Sequence, residues 1–177
     1  MIAFISGGAR SGKSAHAEAL ACRWQARRGG KRYYLATAQA SDGEMQQRIA
    51  RHRDDRGEGW TTLEAPIDLL AALTRAESGA TLLLDCLTLW ASQWLYAGPN
   101  SEQAGLDMIE GLLAEARRRD IALVIVSNDI NEGMPPENDE VWRYLAFLQR
   151  IHRLVAREAD TVIQVAAGLP QVWKGRP

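Results

Sequence analysis

The stretch Gly7-Gly8-Ala9-Arg10-Ser11-Gly12-Lys13-Ser14 constrains this chain more than any other part of it. It fits G-x-x-x-x-G-K-[ST], the pattern of a loop that cradles phosphates. Gly7, Gly8 and Gly12 let the backbone take positive φ and bring its N–H groups close to phosphate oxygens. Lys13 can reach the terminal phosphates as a point charge, and the Ser14 hydroxyl can ligate Mg²⁺. Ile2-Ala3-Phe4-Ile5, just before the loop, is a short apolar run suited to a buried strand. Ser14 to Arg28 contains no Pro or Gly and is rich in good helix formers. Strand, glycine-rich loop and helix N-terminus together aim backbone amides and the helix dipole at an anion. The competing reading, a turn that binds nothing, leaves Lys13-Ser14 at that spacing without a purpose.

Apolar runs alternate with helical patterns along the rest of the chain. Arg32 to Ala38 reads as a second strand, and Ser41-x-x-Glu44 is a capping box that opens a helix from about Asp42 to Asp54. Trp60 to Glu64 alternates as a strand does, and Pro66 suits the first turn of a helix running to about Glu77. Thr81 to Leu84 is an apolar strand ending in Asp85. Leu87 to Tyr96 is an apolar helix fit for the core or for an interface. After the loop Gly98-Pro99-Asn100-Ser101 a helix runs to about Arg119, and Ile121 to Val126 is a β-branched strand of parallel-sheet type. The segment from Asn128 to Asn138, with Gly133, Pro135 and Pro136, is a loop. A long helix over roughly Asp139 to Ala159, a strand over Thr161 to Val165 and an edge strand over Gly168 to Trp173 complete the chain. The expected fold is one α/β domain over residues 1–177, a three-layer P-loop NTPase (RecA-like) fold with a mostly parallel central sheet.

Charge and cysteine content exclude several functions. With 21 basic and 22 acidic residues the formal net charge is −1, which gives no electrostatic case for binding nucleic acid or an anionic membrane. No apolar run reaches the length of a membrane span, and no signal peptide is recognisable. Cys22 and Cys86 form neither a metal-binding spacing nor a disulfide framework, so a reducing cytoplasmic setting is expected, with Cys86 a small buried apolar residue.

A phosphate loop needs a carboxylate partner for its magnesium. Thr81-Leu82-Leu83-Leu84-Asp85 has the Walker B form, which places Asp85 at the carboxyl end of a central strand. A helix-capping role for Asp85 is the alternative. Of the three histidines, His16 follows the loop on its helix and reads as surface or packing. His52 shares a helix face with Arg48, and the spacing of Met45, Ile49 and His52 puts it at the border of the apolar side. From spacing alone, His52 reads first as a half-buried helix histidine.

Three segments together resemble one family. They are GGARSGKS; Arg48-Ile49-x-x-His52-Arg53-x-x-Arg56-x-x-x-Trp60-x-Thr62-x-Glu64; and Leu84-Asp85-Cys86-Leu87-Thr88-Leu89-Trp90. They resemble the bifunctional adenosylcobinamide kinase/adenosylcobinamide-phosphate guanylyltransferases of cobalamin biosynthesis. Ser127-Asn128-Asp129, Pro136-Glu137-Asn138, Ala159-Asp160 and Ala167-Gly168-Leu169-Pro170 continue the likeness in order. The resemblance implies two reactions. A nucleoside triphosphate, ATP or GTP, phosphorylates the terminal hydroxyl of adenosylcobinamide. GMP from GTP is then transferred onto that phosphate through a guanylyl-histidine.

His52 matches the family's catalytic histidine, alongside Lys13. By the same resemblance the nucleotide is bound by the loop residues Gly7 to Ser14, by Thr37, Ala38 and Gln39, by Arg53, Asp54, Asp55 and Arg56, and by Glu64 and Asp85. Ser14 and Asp85 hold Mg²⁺, and the family assembles as a trimer. Both steps build charge on phosphorus oxygens, which Lys13, Arg48, Arg53 and Arg56 are placed to stabilise.

The C-terminal third departs from the family pattern. Asn128-Asp129-Ile130-Asn131 stands where Asn-Glu-Val-Gly is usual. Trp142 replaces an arginine, Ala146 an aspartate, Gln149 a glycine and His152 an asparagine. Gln93 replaces an asparagine after the Leu-Trp run. These changes leave two alternatives open: a related P-loop kinase or guanylyltransferase with one activity only, or a non-catalytic nucleotide-binding regulator.

Overall fold

The computed structural model describes residues 1–38, 57–130 and 138–176. The strands are β1 (Ile2–Gly7), β2 (Arg32–Ala36), β3 (Trp60–Glu64), β4 (Thr81–Asp85), β5 (Ala122–Asn128), β6 (Thr161–Ala166) and β7 (Leu169–Lys174). The helices are α1 (Lys13–Arg28), α2 (Leu69–Thr74), α3 (Leu87–Tyr96), α4 (Glu102–Arg118) and α5 (Asp139–Glu158). The strands form one sheet in the order β3-β2-β4-β5-β1-β6-β7. Every pairing is parallel except the last, β6 with β7.

Strand alternation sorts the core into two layers. Ile2, Phe4, Leu82, Leu84, Leu123 and Ile125 face α2 to α5, whereas Ala3, Ile5, Leu83, Val124 and Val126 face α1 through Ala17, Leu20, Ala21 and Trp24. Helices cover both faces, so the central strands carry no polar side and read as continuous apolar runs. The expected three-layer, mostly parallel α/β architecture is present.

Helix α3 belongs to the core. Trp90 is fully buried with its Nε1–H donating to the Ile67 carbonyl at 2.8 Å, and Trp94 donates to the Ser101 carbonyl at 2.9 Å. Gly105 lets α4 approach closely, since a Cβ there would lie 2.5 Å from Phe147 Cζ and 2.7 Å from Trp94 Nε1.

Three boundaries differ from the sequence reading. The helix expected from Pro66 to Glu77 is Leu69–Thr74, and it starts at Leu69 because the Asp68 side chain caps it by accepting from the Ala71 N–H at 2.8 Å. Strand β2 ends at Ala36 instead of Ala38. Strand β5 runs on through Ser127 and Asn128, which pair with Ser6 and Gly7 of β1. The helix expected over Asp42 to Asp54 lies outside the described residues. Ala167 and Gly168, with φ of 50° and 80°, make the two-residue turn that folds β7 back antiparallel on β6. Among the described residues no helix is long and apolar enough to cross a membrane.

Candidate functional site

In an open parallel sheet the crevice for ligands lies beyond the carboxyl ends of the strands. Here that edge gathers the phosphate loop after β1, Asp85 at the end of β4, and Ser127 and Asn128 at the end of β5. The loop is built tightly. Ser11 N–H donates to the Gly8 carbonyl at 3.2 Å, while Arg10 and Gly12 take positive φ of 58° and 90°. Gly7 is required by contact: a Cβ would collide with the Val165 carbonyl and stand 2.6 Å from Ser11 Oγ. The β6–β7 turn closes over the loop, with Gly168 N–H donating to the Ser11 carbonyl at 2.8 Å.

Lys13 is buried, and its Nζ donates to the Gly8 carbonyl at 3.0 Å. Burial lowers its pKa from the ordinary lysine value, and the Asp85 charge acts in the opposite direction. Ser11 Oγ is buried and has no hydrogen-bond partner among the described residues. A buried hydroxyl without a partner is costly, and a phosphate oxygen in the loop would relieve it. Arg10 and Ala9 are exposed at the loop's outer edge.

Among the described residues, Tyr34 and Thr37 help to position Asp85. Tyr34 Oη donates to its Oδ2 at 3.1 Å. Thr37, fully buried, knots the backbone behind it: Cys86 N–H donates to Thr37 Oγ1 at 2.8 Å, and that hydroxyl faces the carbonyls of Asp85 and Cys86, each at 3.0 Å. Gln93 Nε2 then donates to the Thr37 carbonyl at 2.7 Å. The N-cap of α3 is Cys86, without a side-chain cap bond, so the capping role considered for Asp85 gives way to a carboxylate turned toward Tyr34. Burial and the Asp85 charge push the Cys86 thiol up to about 11, so it stays protonated and is no nucleophile at neutral pH.

Thr37→Val leaves the Cys86 N–H without its acceptor. We expect a loss of about 1–3 kcal/mol in stability, read by urea denaturation, together with weaker Mg²⁺-dependent catalysis. Wild-type stability in the valine variant would contradict the role given to this knot.

Ser14, half-buried in the first turn of α1, and Asp85 offer hard oxygen donors. Such a pair suits Mg²⁺, which keeps several waters and takes one or two protein oxygens plus phosphate. Among the described residues no three His, Cys, Asp or Glu side chains gather into a metal cage. Glu64 is exposed at the end of β3, where it pairs with Ala36, and Ala36 pairs on its other side with Asp85. Ala38 is half-buried just beyond Thr37. Glu64 and the phosphate loop therefore mark opposite margins of the crevice, with β2, β4 and β5 between their strands. Gln39, Arg48, His52, Arg53, Asp54, Asp55, Arg56 and Asn131 lie outside the described residues.

Sequence reading missed a second polar cluster at the same edge. Thr88 Oγ1 accepts from the Asn128 N–H at 2.7 Å and lies 3.0 Å from Ser127 Oγ, which is 2.7 Å from His152 Nε2. Tyr144 Oη donates to the Thr88 carbonyl at 2.9 Å. His152 thus packs against Phe4, at a ring separation of 5.2 Å, and also bonds. Trp142, 46 % exposed, and the exposed Ala146 lie instead on the outer side of α5.

Burial lowers the His152 pKa from 6.5 to about 4, against the opposing pull of the Asp129 carboxylate. The unfolded chain therefore binds the extra proton between those two values. Stability contributed by neutral His152 is complete above pH 6.5 and is lost as the pH falls toward 4. From pH 7.5 to pH 5 we expect wild type to lose about 2 kcal/mol through this group. Denaturation curves of wild type and His152→Gln at both pH values check this, and equal losses in the two proteins would contradict it.

A family model described as cobinamide kinase / cobinamide phosphate guanyltransferase matches residues 3–172. The chain belongs to this family. It is a cobinamide kinase/guanyltransferase family member, and hence a transferase, 41 % identical over 98 % of its length to the bifunctional adenosylcobalamin biosynthesis protein CobP of Pseudomonas aeruginosa, of which the match covers 97 %. It is 34 % identical to the bifunctional protein CobU of Salmonella typhimurium, with 96 % of this chain and 97 % of that one aligned. Among solved structures, a KaiC-like protein of Pyrococcus horikoshii aligns with a TM-score of 0.60 at 10 % identity, covering 99 % of this chain and 79 % of its own. The flagellar accessory protein FlaH of Methanocaldococcus jannaschii aligns at 0.56 and 11 % identity, with coverages of 99 % and 78 %. These two likenesses concern the fold, which is RecA-like.

Proposed function

We propose that this chain phosphorylates the terminal hydroxyl of adenosylcobinamide with ATP or GTP, and then transfers GMP from GTP to that phosphate through a guanylyl-His52, giving adenosylcobinamide-GDP. The observation that carries this reading is the buried Lys13 in a formed phosphate loop with Asp85 at a nearby strand end, in a chain whose family match runs almost end to end.

In the first reaction the substrate hydroxyl oxygen bonds to the γ-phosphorus as the bond to the β–γ bridging oxygen breaks. The loop amides cradle the phosphates, and Lys13 exchanges its Gly8 carbonyl for a phosphate oxygen whose charge grows in the transition state. Ser14 and Asp85 would hold Mg²⁺, which would supply neutralisation of phosphate charge there. In the second reaction a neutral His52 nitrogen attacks the α-phosphorus and pyrophosphate leaves. The substrate phosphate then displaces His52 and takes GMP. Arg48, Arg53 and Arg56 add positive charge around the same phosphates, while Thr37, Ala38, Gln39, Asp54, Asp55 and Glu64 bind the guanine nucleotide.

By the family resemblance the enzyme is a homo-oligomer, a trimer, acting as one domain in the cytoplasm, where Cys22 and Cys86 remain free thiols. Incubation with adenosylcobinamide, GTP and Mg²⁺, followed by mass analysis, is expected to yield the phosphate first and the GDP derivative after it. A mixture containing only unreacted adenosylcobinamide would overturn the reading.

A further inference from the structure

Among the described residues two carboxylates stand at or just after strand ends on the phosphate-loop side, and the magnesium role uses only Asp85. The other is Asp129, immediately after β5. Its N–H donates to the carbonyl of Gly7, the first loop glycine, at 2.9 Å. Its side chain is held from β6, where Gln164 Nε2 donates to Asp129 Oδ2 at 3.3 Å, and Gln164 is held in turn from β7, where Trp173 Nε1–H donates to Gln164 Oε1 at 3.3 Å.

Chemistry fixes the direction of this chain of bonds. An indole N–H only donates, so the amide must present its oxygen to Trp173 and its nitrogen to Asp129. All donors therefore point toward the carboxylate. The hairpin that carries Gln164 and Trp173 is the one whose turn closes on the Ser11 carbonyl, so the element that seats the phosphate loop also aims Asp129. Trp173 remains 64 % exposed on the edge strand although its N–H is engaged.

We propose that Asp129 is the catalytic carboxylate that receives the acceptor hydroxyl during phosphoryl transfer, with Gln164 and Trp173 as its positioning residues. The assignment rests on the kinase half of the proposed function. The hydroxyl oxygen forms its bond to the γ-phosphorus while its proton passes to the Asp129 carboxylate. The bond from the γ-phosphorus to the bridging oxygen breaks, the nucleoside diphosphate leaves with that electron pair, and Asp129 then returns the proton to water.

The test is steady-state phosphorylation of adenosylcobinamide by wild type, Asp129→Asn, Asp129→Glu and Trp173→Phe, with covalent labelling of each protein by α-labelled GTP as a second readout. Asp129→Asn is expected to lower kcat by about 10²- to 10⁴-fold, with the nucleotide KM little changed and the ratio of kinase rate to label falling in step. Asp129→Glu recovers at least about tenfold of the loss, because it restores a proton acceptor. Trp173→Phe lowers kcat by a few-fold at constant KM. Wild-type kcat in Asp129→Asn overturns the assignment, and so does an equal loss of kinase rate and label, which would make Asp129 a structural or nucleotide-binding residue. A wild-type chain that takes label but does not phosphorylate adenosylcobinamide overturns the kinase reading itself.

Discussion

Replacing Lys13 with alanine is expected to lower kcat for adenosylcobinamide phosphorylation by about 10²- to 10³-fold, the loss typical of removing one preorganised group from a transition-state charge. The ammonium is buried and bonded to a loop carbonyl in the free protein, so it is poised in a low-dielectric setting where its charge on a phosphate oxygen counts most. The same burial disfavours its charged form. Removing it therefore relieves a desolvated charge, and the alanine variant should unfold at a temperature no lower than wild type. Lys13→Arg is not expected to rescue, since a planar guanidinium cannot occupy the slot of a compact ammonium. Rate assays paired with thermal unfolding check both halves. A variant that loses activity only because it unfolds would contradict this account of Lys13.

Much of the fold was legible because its signals are local. The alternation of β-branched runs and capped helices follows from strand burial on both faces, and the phosphate loop is a contiguous octapeptide whose chemistry can be read directly. Tyr34 was within reach as well. It pairs with Leu83, one step of the same parity before Ala36 and Asp85, so strand alternation already places it on the Asp85 face.

Thr37, Gln93 and the Thr88–Ser127–His152 cluster were not legible in those terms. Each bond there joins elements far apart in the chain, and a Thr or Ser at a strand end gives no periodic signal. The departures on α5 divide in the same way. Trp142 and Ala146 alter an outer face, whereas His152 enters a buried hydrogen-bonded position that only the tertiary structure reveals. Asp129 was visible as part of a family-like run, yet its bonds to the phosphate loop and the hairpin depend on strand order.

His52→Ala should remove the guanylyltransferase reaction entirely while sparing phosphorylation of the hydroxyl. A phosphoramidate needs a nucleophilic side-chain nitrogen, and His52 is the one the family resemblance assigns to this step. The kinase step passes phosphate directly from nucleotide to hydroxyl and needs no covalent carrier, so adenosylcobinamide phosphate should accumulate in the variant. His52→Asn keeps similar size and polarity without the nucleophile and should behave as the alanine variant does. Covalent labelling tests this most directly: the protein is incubated with Mg²⁺ and GTP radiolabelled at the α-phosphate, then separated from free nucleotide. Wild type is expected to hold a label that is released by acid and stable to alkali, and His52→Ala none. An unlabelled wild-type protein, or a label that persists in His52→Ala, would contradict the guanylyl-histidine at the centre of the proposed function.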